Sequence, residues 1–222
     1  MAISETNYTN INAQLQPKGV TLVAVSKTKP AADIAALYAL GQRDFGENYV
    51  QELTEKQPVL PADIRWHFIG HLQSNKVKYI APFVYMIHGV DSLKLLQEIN
   101  KQAAKNQRTI ACLLQVHVAQ EETKFGMDAV GLAALIEAYR SNKAQYANVL
   151  VKGIMGMASF TDDQQVVKSE FAAIRRLFTT AQASLNDTAF DTISMGMSGD
   201  YALAIEAGST MVRIGSLLFG TR

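Results

Sequence analysis

Short apolar segments alternate eight times along this chain with longer segments in which apolar residues recur at helical spacing. The short segments are continuous apolar runs rich in β-branched residues, which is typical of strands buried on both faces of a sheet. We predict strands over residues 20–26, 43–47, 65–69, 84–88, 109–118, 149–157, 192–195 and 211–215. We predict helices over residues 4–15, 30–40, 49–56, 74–80, 92–105, 128–141, 163–185 and 200–207.

Strands that alternate with helices pair in parallel through right-handed crossovers. Eight such units of about 25 residues favour a closed (β/α)8 TIM barrel over an open doubly wound sheet. The open sheet would need edge strands, and no polar, proline-bearing candidate is present. Little chain follows the last strand before Arg222, so we expect the N-terminal helix to close the outer ring there. No linker interrupts residues 1–222, which we expect to form a single domain.

Charge and cysteine content argue against several classes of protein. The 21 Lys and Arg residues nearly balance the 20 Asp and Glu residues, so the net charge of +1 leaves no basic surplus for binding nucleic acid. Cys112 is the single cysteine and lies in an apolar strand, so we expect a core residue rather than a nucleophile. Because no signal peptide or membrane-spanning apolar run is evident, we expect a cytoplasmic protein without membrane contact.

The histidines do not have the spacing of a metal site. His67 and His71 are four residues apart, but they fall on a strand and its following loop rather than on one helix face. We expect His88 and His117 to be packed or solvated rather than ligands. The sequence therefore predicts no metal ion.

Lys27 directly follows the first predicted strand. In a barrel of this kind the reactive groups gather where strands end, so the ammonium group of Lys27 would emerge at the mouth of the core. Partial burial lowers the pKa of an amine, as an imine-forming lysine requires. The alternative is an ordinary surface lysine at the start of a loop.

The loops after the seventh and eighth strands are the usual phosphate site of such a barrel. Here they contain Ser198 and Gly199 at a predicted helix start, and Gly215 and Ser216 just after Arg213. Backbone N–H groups at a helix start attract anions, and glycines allow close approach. The alternative is that Ser198 is only a helix N-cap and the glycines only turn residues.

Seven short segments resemble the pyridoxal phosphate homeostasis family, in family order and across nearly the whole chain. They are VAVSKTKP (23–30), FGENYVQE (45–52), WHFIGHLQSNK (66–76), KFGM (124–127), GIMGMA (153–158), SMGMS (194–198) and VRIG (212–215). The resemblance implies a barrel like the N-terminal domain of alanine racemase that binds pyridoxal 5′-phosphate (PLP).

The resemblance also implies site residues. Lys27 would form an aldimine with the cofactor aldehyde, and Arg213 would face the pyridine nitrogen. Asn48 would lie beside the cofactor. The phosphate would be held by Ser198, Gly215 and Ser216, with backbone N–H groups around Gly199.

The function implied is a PLP carrier or buffer that affects amino-acid and keto-acid balance and releases PLP to apo-enzymes. The alternative is a PLP-dependent racemase or isomerase, and a more distant one is a Schiff-base aldolase without a cofactor. Arg213 has no lone pair to accept a proton and favours an unprotonated ring nitrogen, which makes a weak electron sink. Lys27 is the only evident base, and because little chain follows Phe219 we expect no additional β domain of the kind that alanine racemases carry. We therefore expect no catalytic residues. Since no exposed apolar stripe stands out in the sequence, we also expect a monomer.

Overall fold

The computed structural model of the protein describes residues 3–119 and 125–220. Eight parallel strands form a closed barrel in chain order, and β8 pairs with β1 to complete the ring. The predicted TIM barrel is therefore confirmed. The strands are β1 (Thr21–Val25), β2 (Asp44–Glu47), β3 (Arg65–Phe68), β4 (Met86–Val90), β5 (Ile110–Gln115), β6 (Val149–Met155), β7 (Thr192–Ser194) and β8 (Met211–Ile214).

Helices connect successive strands and form the outer ring. In the described residues they are α1 (Glu5–Leu15), α2 (Ala31–Ala39), α3 (Val50–Lys56), α4 (Val77–Ile80), α5 (Leu93–Lys105), α6 (Ala129–Ser141), α7 (Gln164–Leu185), α8 (Tyr201–Glu206) and α9 (Ser216–Phe219). Several begin at a capping side chain: Asp163 Oδ1, for example, accepts from the backbone N–H of Gln165 (2.9 Å) at the start of α7. The predicted strands 109–118 and 149–157 are shorter in the structure, because their last residues belong to the loops at the barrel mouth.

The N-terminal helix occupies the place of a missing eighth crossover helix. The backbone N–H of Ser4 donates to Leu218 O (2.8 Å), and Asn7 Nδ2 donates to Leu217 O (2.8 Å). These contacts join the start of the chain to α9, which has only four residues. The expectation that this helix closes the outer ring is confirmed.

Buried side chains lie in two separate regions of the molecule. Between the sheet and the helices lies a large apolar core that includes the fully buried Phe45, Phe68 and Phe171. Inside the barrel, a small apolar group (Val23, Met86, Leu113, Met155 and Met211) shares the space with buried polar side chains. Among the described residues, no helix combines the length and apolar character needed to cross a membrane.

Candidate functional site

A cleft of about 580 Å³ opens at the carboxyl ends of the strands. All seven residues predicted for the site line it. They are Lys27, Asn48, Ser198, Gly199, Arg213, Gly215 and Ser216. The barrel thus brings together residues that lie up to 189 positions apart in sequence (27 and 216), because strand ends from opposite ends of the chain are neighbours in the closed sheet.

Lys27 lies in a tight turn between β1 and α2. The backbone N–H of Lys29 donates to Ser26 O (3.0 Å), and the N–H of Thr28 donates to Glu52 Oε1 (2.6 Å). Thr28 has a φ of 64°, in the left-handed region that a β-branched residue rarely adopts. The turn is therefore held in one strained conformation by its neighbours.

A buried group of charges lies directly beneath this turn. Lys56 Nζ donates to Glu47 Oε1 (2.8 Å), to Glu52 Oε1 (2.6 Å) and to the backbone oxygen of Ser26 (2.9 Å). Ser26 Oγ also donates to Glu47 Oε1 (2.6 Å). Burial raises the pKa of Glu47, although the hydrogen bonds from Lys56 and Ser26 act in the opposite direction. We call Ser26, Glu47, Glu52 and Lys56 the charged cluster.

Arg213 is the buried cation of the cleft. Its Nη1 donates to Ser194 Oγ (2.6 Å) and its Nη2 donates to Gly156 O (3.0 Å), so two of its five N–H groups are engaged by the barrel wall. Burial lowers the pKa of Arg213 to about 10, although the negative charge of Asp200 acts to raise it. The guanidinium therefore stays positively charged at neutral pH.

The loops after β7 and β8 are joined across the cleft by a hydroxyl. Ser198 Oγ accepts from the backbone N–H of Gly215 (3.3 Å). The N-cap of α8 is Asp200 rather than Ser198, and the carboxylate of Asp200 accepts from the backbone N–H of Met197 (2.6 Å). The alternative reading of Ser198 as a simple N-cap is therefore wrong. A Cβ built on Gly199 would meet only open space, so this side of the cleft is accessible.

Asn48 presents an unusual polar atom at the end of β2. Its Oδ1 is buried and has no hydrogen-bond partner among the described residues. A Cβ on Gly70 would lie 2.3 Å from the backbone oxygen of Asn48, so only glycine at position 70 permits the β3 loop to pack there. The orphaned acceptor lines the cleft, where a ligand with an N–H or O–H donor would satisfy it.

Sequence reasoning missed the residues that hold the predicted site from behind. Ser194, which binds Arg213, lies in a segment quoted for its family resemblance, but no role was predicted for it. The role of Ser194 could have been predicted. Because β7 and β8 are neighbouring strands, an inward-facing serine on β7 lies close to an inward-facing arginine on β8. Glu47 and Lys56 gave no such signal, because they lie on a strand and on the following helix. The pair that does lie along that helix, Glu52 and Lys56, has the spacing of an ion pair that is usually solvated.

The expectations for Cys112 and the histidines can also be compared with the structure. Cys112 is fully buried, and burial raises the pKa of its thiol well above the usual range, so it is a core residue and not a nucleophile. His67 and His88 are fully buried. Among the described residues, no three His, Cys, Asp or Glu side chains are grouped as metal ligands. Lys124 of the KFGM segment lies outside the described residues.

Comparison with known proteins first shows the class of protein to which the chain belongs. The family model of the alanine racemase N-terminal domain matches residues 3–222. An alanine racemase from Bartonella henselae superimposes with a TM-score of 0.72 at 18% identity, over 97% of this chain and 57% of that one. At this identity the likeness shows the fold alone.

Closer relatives define the particular family. The chain is 42% identical to the pyridoxal phosphate homeostasis protein of Pseudomonas aeruginosa over 93% of its length and 86% of that protein. It is 41% identical to that of Aquifex aeolicus, over 90% of this chain and 86% of the relative. The structure of PipY from Synechococcus elongatus without PLP superimposes with a TM-score of 0.90 at 35% identity, over 97% and 99% of the two chains. A second structure of PipY, with PLP bound, gives a TM-score of 0.86. The chain therefore belongs to the alanine racemase N-terminal domain family and, within it, to the pyridoxal phosphate homeostasis proteins, which confirms the resemblance found in the sequence.

Proposed function

We propose that this protein binds PLP in the cleft and acts as an intracellular PLP carrier or buffer. The observation that supports this most directly is the distribution of groups along the cleft. An amine from Lys27 lies at one side, hydroxyl and backbone donors lie at the other, and the buried cation of Arg213 also faces the cleft. The binding of PLP by PipY, which is 35% identical, supports the same assignment.

PLP supplies an aldehyde that reacts with a primary amine, a pyridine nitrogen that accepts a hydrogen bond, and a phosphate that needs several donors. We assign Lys27 as the amine, because the strained turn holds it at the cleft wall. We assign Arg213 to the pyridine nitrogen, because a buried guanidinium has N–H groups to donate and no lone pair to accept. Ser198, Ser216 and the backbone around Gly199 and Gly215 would supply the phosphate donors.

Asn48 completes the fit. PLP carries a ring hydroxyl, and the buried Asn48 Oδ1 is an acceptor without a partner among the described residues. Leaving such an acceptor unpaired is unfavourable by about 1–3 kcal/mol. We propose that binding of the cofactor removes this penalty, which gives Asn48 a role in retention rather than in proton transfer.

The residues that line the cleft favour a carrier over a racemase. A racemase needs a proton donor and acceptor on each face of its substrate. Among the described residues that line the cleft, the ionisable side chains are those of Lys27, Lys29, Asp162, Asp200 and Arg213, without a tyrosine, histidine or cysteine. Asp200 is engaged by the Met197 N–H, and we propose that neither Lys29 nor Asp162 acts as a second base opposite Lys27.

The remaining parts of the proposal concern the setting of the protein. We propose that residues 1–222 act as one PLP-binding domain, as a monomer and in the cytoplasm. We propose that its partners are apo-enzymes that need PLP, and that it binds neither nucleic acid nor membranes. The near-zero net charge of +1 supports the absence of a nucleic-acid partner.

The proposal is tested by loading purified protein with PLP and recording its absorbance before and after borohydride reduction. Peptide mass mapping should place the reduced adduct on Lys27, and Lys27→Ala should abolish it. Lys29→Ala is the matched control, since Lys29 lines the same cleft and should leave the adduct in place. An adduct on Lys29, or none on the wild-type protein, would refute the assignment.

The hypothesis that the protein is a PLP carrier is tested separately from PLP binding. The loaded wild-type protein should reactivate a PLP-dependent apo-enzyme, whereas incubation with a panel of L-amino acids should yield no D-enantiomer above background. If D-amino acids form, and Lys27→Ala abolishes their formation, the protein is a racemase instead. Size-exclusion chromatography with light scattering tests the proposed monomer.

A further inference from the structure

A continuous row of buried hydrogen bonds leads away from Arg213 through the interior of the barrel. Arg213 Nη1 contacts Ser194 Oγ (2.6 Å), and Ser194 Oγ lies 3.2 Å from His88 Nδ1. His88 Nε2 lies 2.9 Å from His67 Nδ1, and His67 Nε2 lies 2.9 Å from Asp44 Oδ1. All five side chains are buried and each comes from a different strand. We call these five residues the relay.

When both histidines are neutral, the two ends of the relay determine the direction of every hydrogen bond in it. Arg213 can only donate, so Ser194 Oγ accepts from it and directs its own hydrogen to His88 Nδ1. His88 then carries its proton on Nε2 and donates to His67 Nδ1. His67 in turn donates from Nε2 to the carboxylate of Asp44, which can only accept. With both histidines neutral, each of the four contacts of the relay pairs one donor with one acceptor.

The electrostatics of the individual residues agree with this arrangement. Burial lowers the pKa of His88 well below its usual value, and the nearby charge of Arg213 acts in the same direction, so His88 is neutral. Burial acts to raise the pKa of Asp44, but hydrogen bonds from Arg65 and His67 hold it below its usual value, so the acceptor is ionised.

A second arrangement is possible in principle and makes a different prediction. If His67 were protonated, both of its nitrogens would donate, and His88 Nε2 would have to accept. His88 would then donate from Nδ1 to Ser194 Oγ, which would already accept from Arg213. Among the described residues, the hydroxyl hydrogen of Ser194 would then have no acceptor, which is unfavourable. The tautomer of His88 distinguishes the two arrangements.

The relay ends far from the cleft. Asp44, Arg65 and His67 line a polar recess of about 480 Å³ at the amino ends of the strands, on the opposite side of the barrel from Lys27. Arg65 caps the relay there, with its Nε donating to Asp44 Oδ1 (2.7 Å). None of Asp44, His67 or His88 lines the cleft. An effect of these residues on a ligand in the cleft therefore has to pass through Arg213.

We propose that Ser194, His88, His67 and Asp44 are positioning residues that hold Arg213 in one orientation, as a fixed donor toward the cleft. The aligned hydrogen bonds direct their acceptor ends toward the buried cation, so they compensate its charge while leaving its remaining N–H groups for a ligand. The inference rests on the proposed function, because the ligand it concerns is PLP.

The first test uses the protein without PLP and is independent of the proposed function. Long-range ¹H–¹⁵N correlation spectra of histidine-labelled protein report which ring nitrogen carries the proton, and His67→Phe and His88→Phe assign the signals. We expect both histidines to be neutral with the proton on Nε2. A proton on Nδ1 of His88, or a doubly protonated His67, would overturn the relay whether or not PLP binds.

The second test measures PLP affinity and the absorbance maximum of the loaded protein. Ser194→Ala should raise the dissociation constant for PLP about tenfold, and His67→Phe about threefold, each with a shifted absorbance maximum. Ser194→Cys, which retains a weak donor and acceptor, should restore part of the loss. Ile87→Val, a fully buried change beside His88, is the packing control and should leave both readouts unchanged.

The two tests separate the possible failures. If the wild-type protein does not bind PLP, the proposed function fails while the tautomers still decide the relay. If PLP binds but Ser194→Ala and His67→Phe match the Ile87→Val control, the positioning role is refuted and the proposed function stands.

Discussion

At the Lys27 side of the cleft the loop rests on buried charges, whereas at the Ser198 side the loops are joined by a neutral hydrogen bond. The charged cluster connects β1, β2 and α3 beneath one strained turn. On the opposite side the Gly215 N–H donates to Ser198 Oγ, the Met197 N–H donates to the partly exposed Asp200 carboxylate, and the glycine backbone is open. The first construction fixes the backbone of the turn that carries Lys27, which suits an amine that reacts at one carbon. The second leaves donors exposed for an anion.

This contrast predicts that substitutions on the two sides of the cleft affect different properties of the protein. A buried ion pair that loses one partner leaves an uncompensated charge, which strongly destabilises the fold. A neutral hydrogen bond near solvent contributes little to folding, but its donors still matter to a bound phosphate. Variants of the charged cluster should therefore change stability first, and variants of the phosphate side should change ligand retention first.

The largest effect is expected from Lys56→Met. The substitution preserves the length of the side chain but leaves the fully buried Glu47 without its cation, and we expect a loss of about 3–5 kcal/mol in the free energy of unfolding. Urea unfolding followed by circular dichroism measures it. The double variant Glu47→Gln/Lys56→Met removes both charges and should recover part of the loss. A double variant as unstable as Lys56→Met alone would show that packing, not charge, is responsible.

The sequence predicted the barrel and seven of the residues that line the cleft, but not how either side is supported. Strand periodicity and the order of the motifs place Lys27 and Arg213 at strand ends, because in a barrel the loop position follows from the strand position. Lys56, four residues after Glu52 on a predicted helix, has the spacing of an exposed ion pair. Its burial depends on the crossing of α3 over the end of β1, which local spacing does not encode. For the same reason, the burial of His67 and His88 could be predicted from their strands, but their connection to Arg213 could not.

The next largest effect is expected from a substitution on the Ser198 side of the cleft. Ser198→Ala removes the acceptor of the Gly215 N–H and one proposed phosphate donor, so we expect the PLP dissociation constant to rise about tenfold. The free energy of unfolding should change by no more than about 1 kcal/mol. Titration calorimetry and urea unfolding measure the two quantities on the same samples. Ser198→Thr keeps the hydroxyl and is the control. A stability loss as large as that of Lys56→Met would remove the contrast between the two sides.

Measuring the free energy of unfolding over a series of pH values tests the role of Glu47 in the charged cluster. Because burial raises the pKa of Glu47, the folded protein keeps this proton over a pH range in which the unfolded chain has released it. The contribution of Glu47 to stability is therefore full below its unfolded pKa and declines as pH rises through the folded value. Glu47→Gln cannot titrate, so the difference in unfolding free energy between wild type and variant should shift in favour of the variant over that range. Parallel pH profiles would mean that Lys56 fully compensates the carboxylate.

The smallest effect tests the strain itself. Thr28 is exposed and its φ of 64° is unfavourable for a β-branched residue by about 1–2 kcal/mol, whereas glycine adopts it freely. Glycine retains the N–H that donates to Glu52, but loses more conformational freedom on folding, by about 0.5–1 kcal/mol. Thr28→Gly should therefore stabilise the protein by up to about 1.5 kcal/mol in urea unfolding. Thr28→Val keeps the branched side chain without the hydroxyl and should give no gain.

A gain for Thr28→Gly combined with weaker PLP retention would show that the charged cluster holds the turn in a costly conformation because Lys27 is needed there. A loss of stability in Thr28→Gly would show instead that the threonine side chain supports the turn and that the strain is small. In either case the Ser198 side provides the reference, since its loops reach their positions with glycine and without a branched residue at positive φ. The difference in strain between the two sides is thus measurable in the same protein, with one substitution on each.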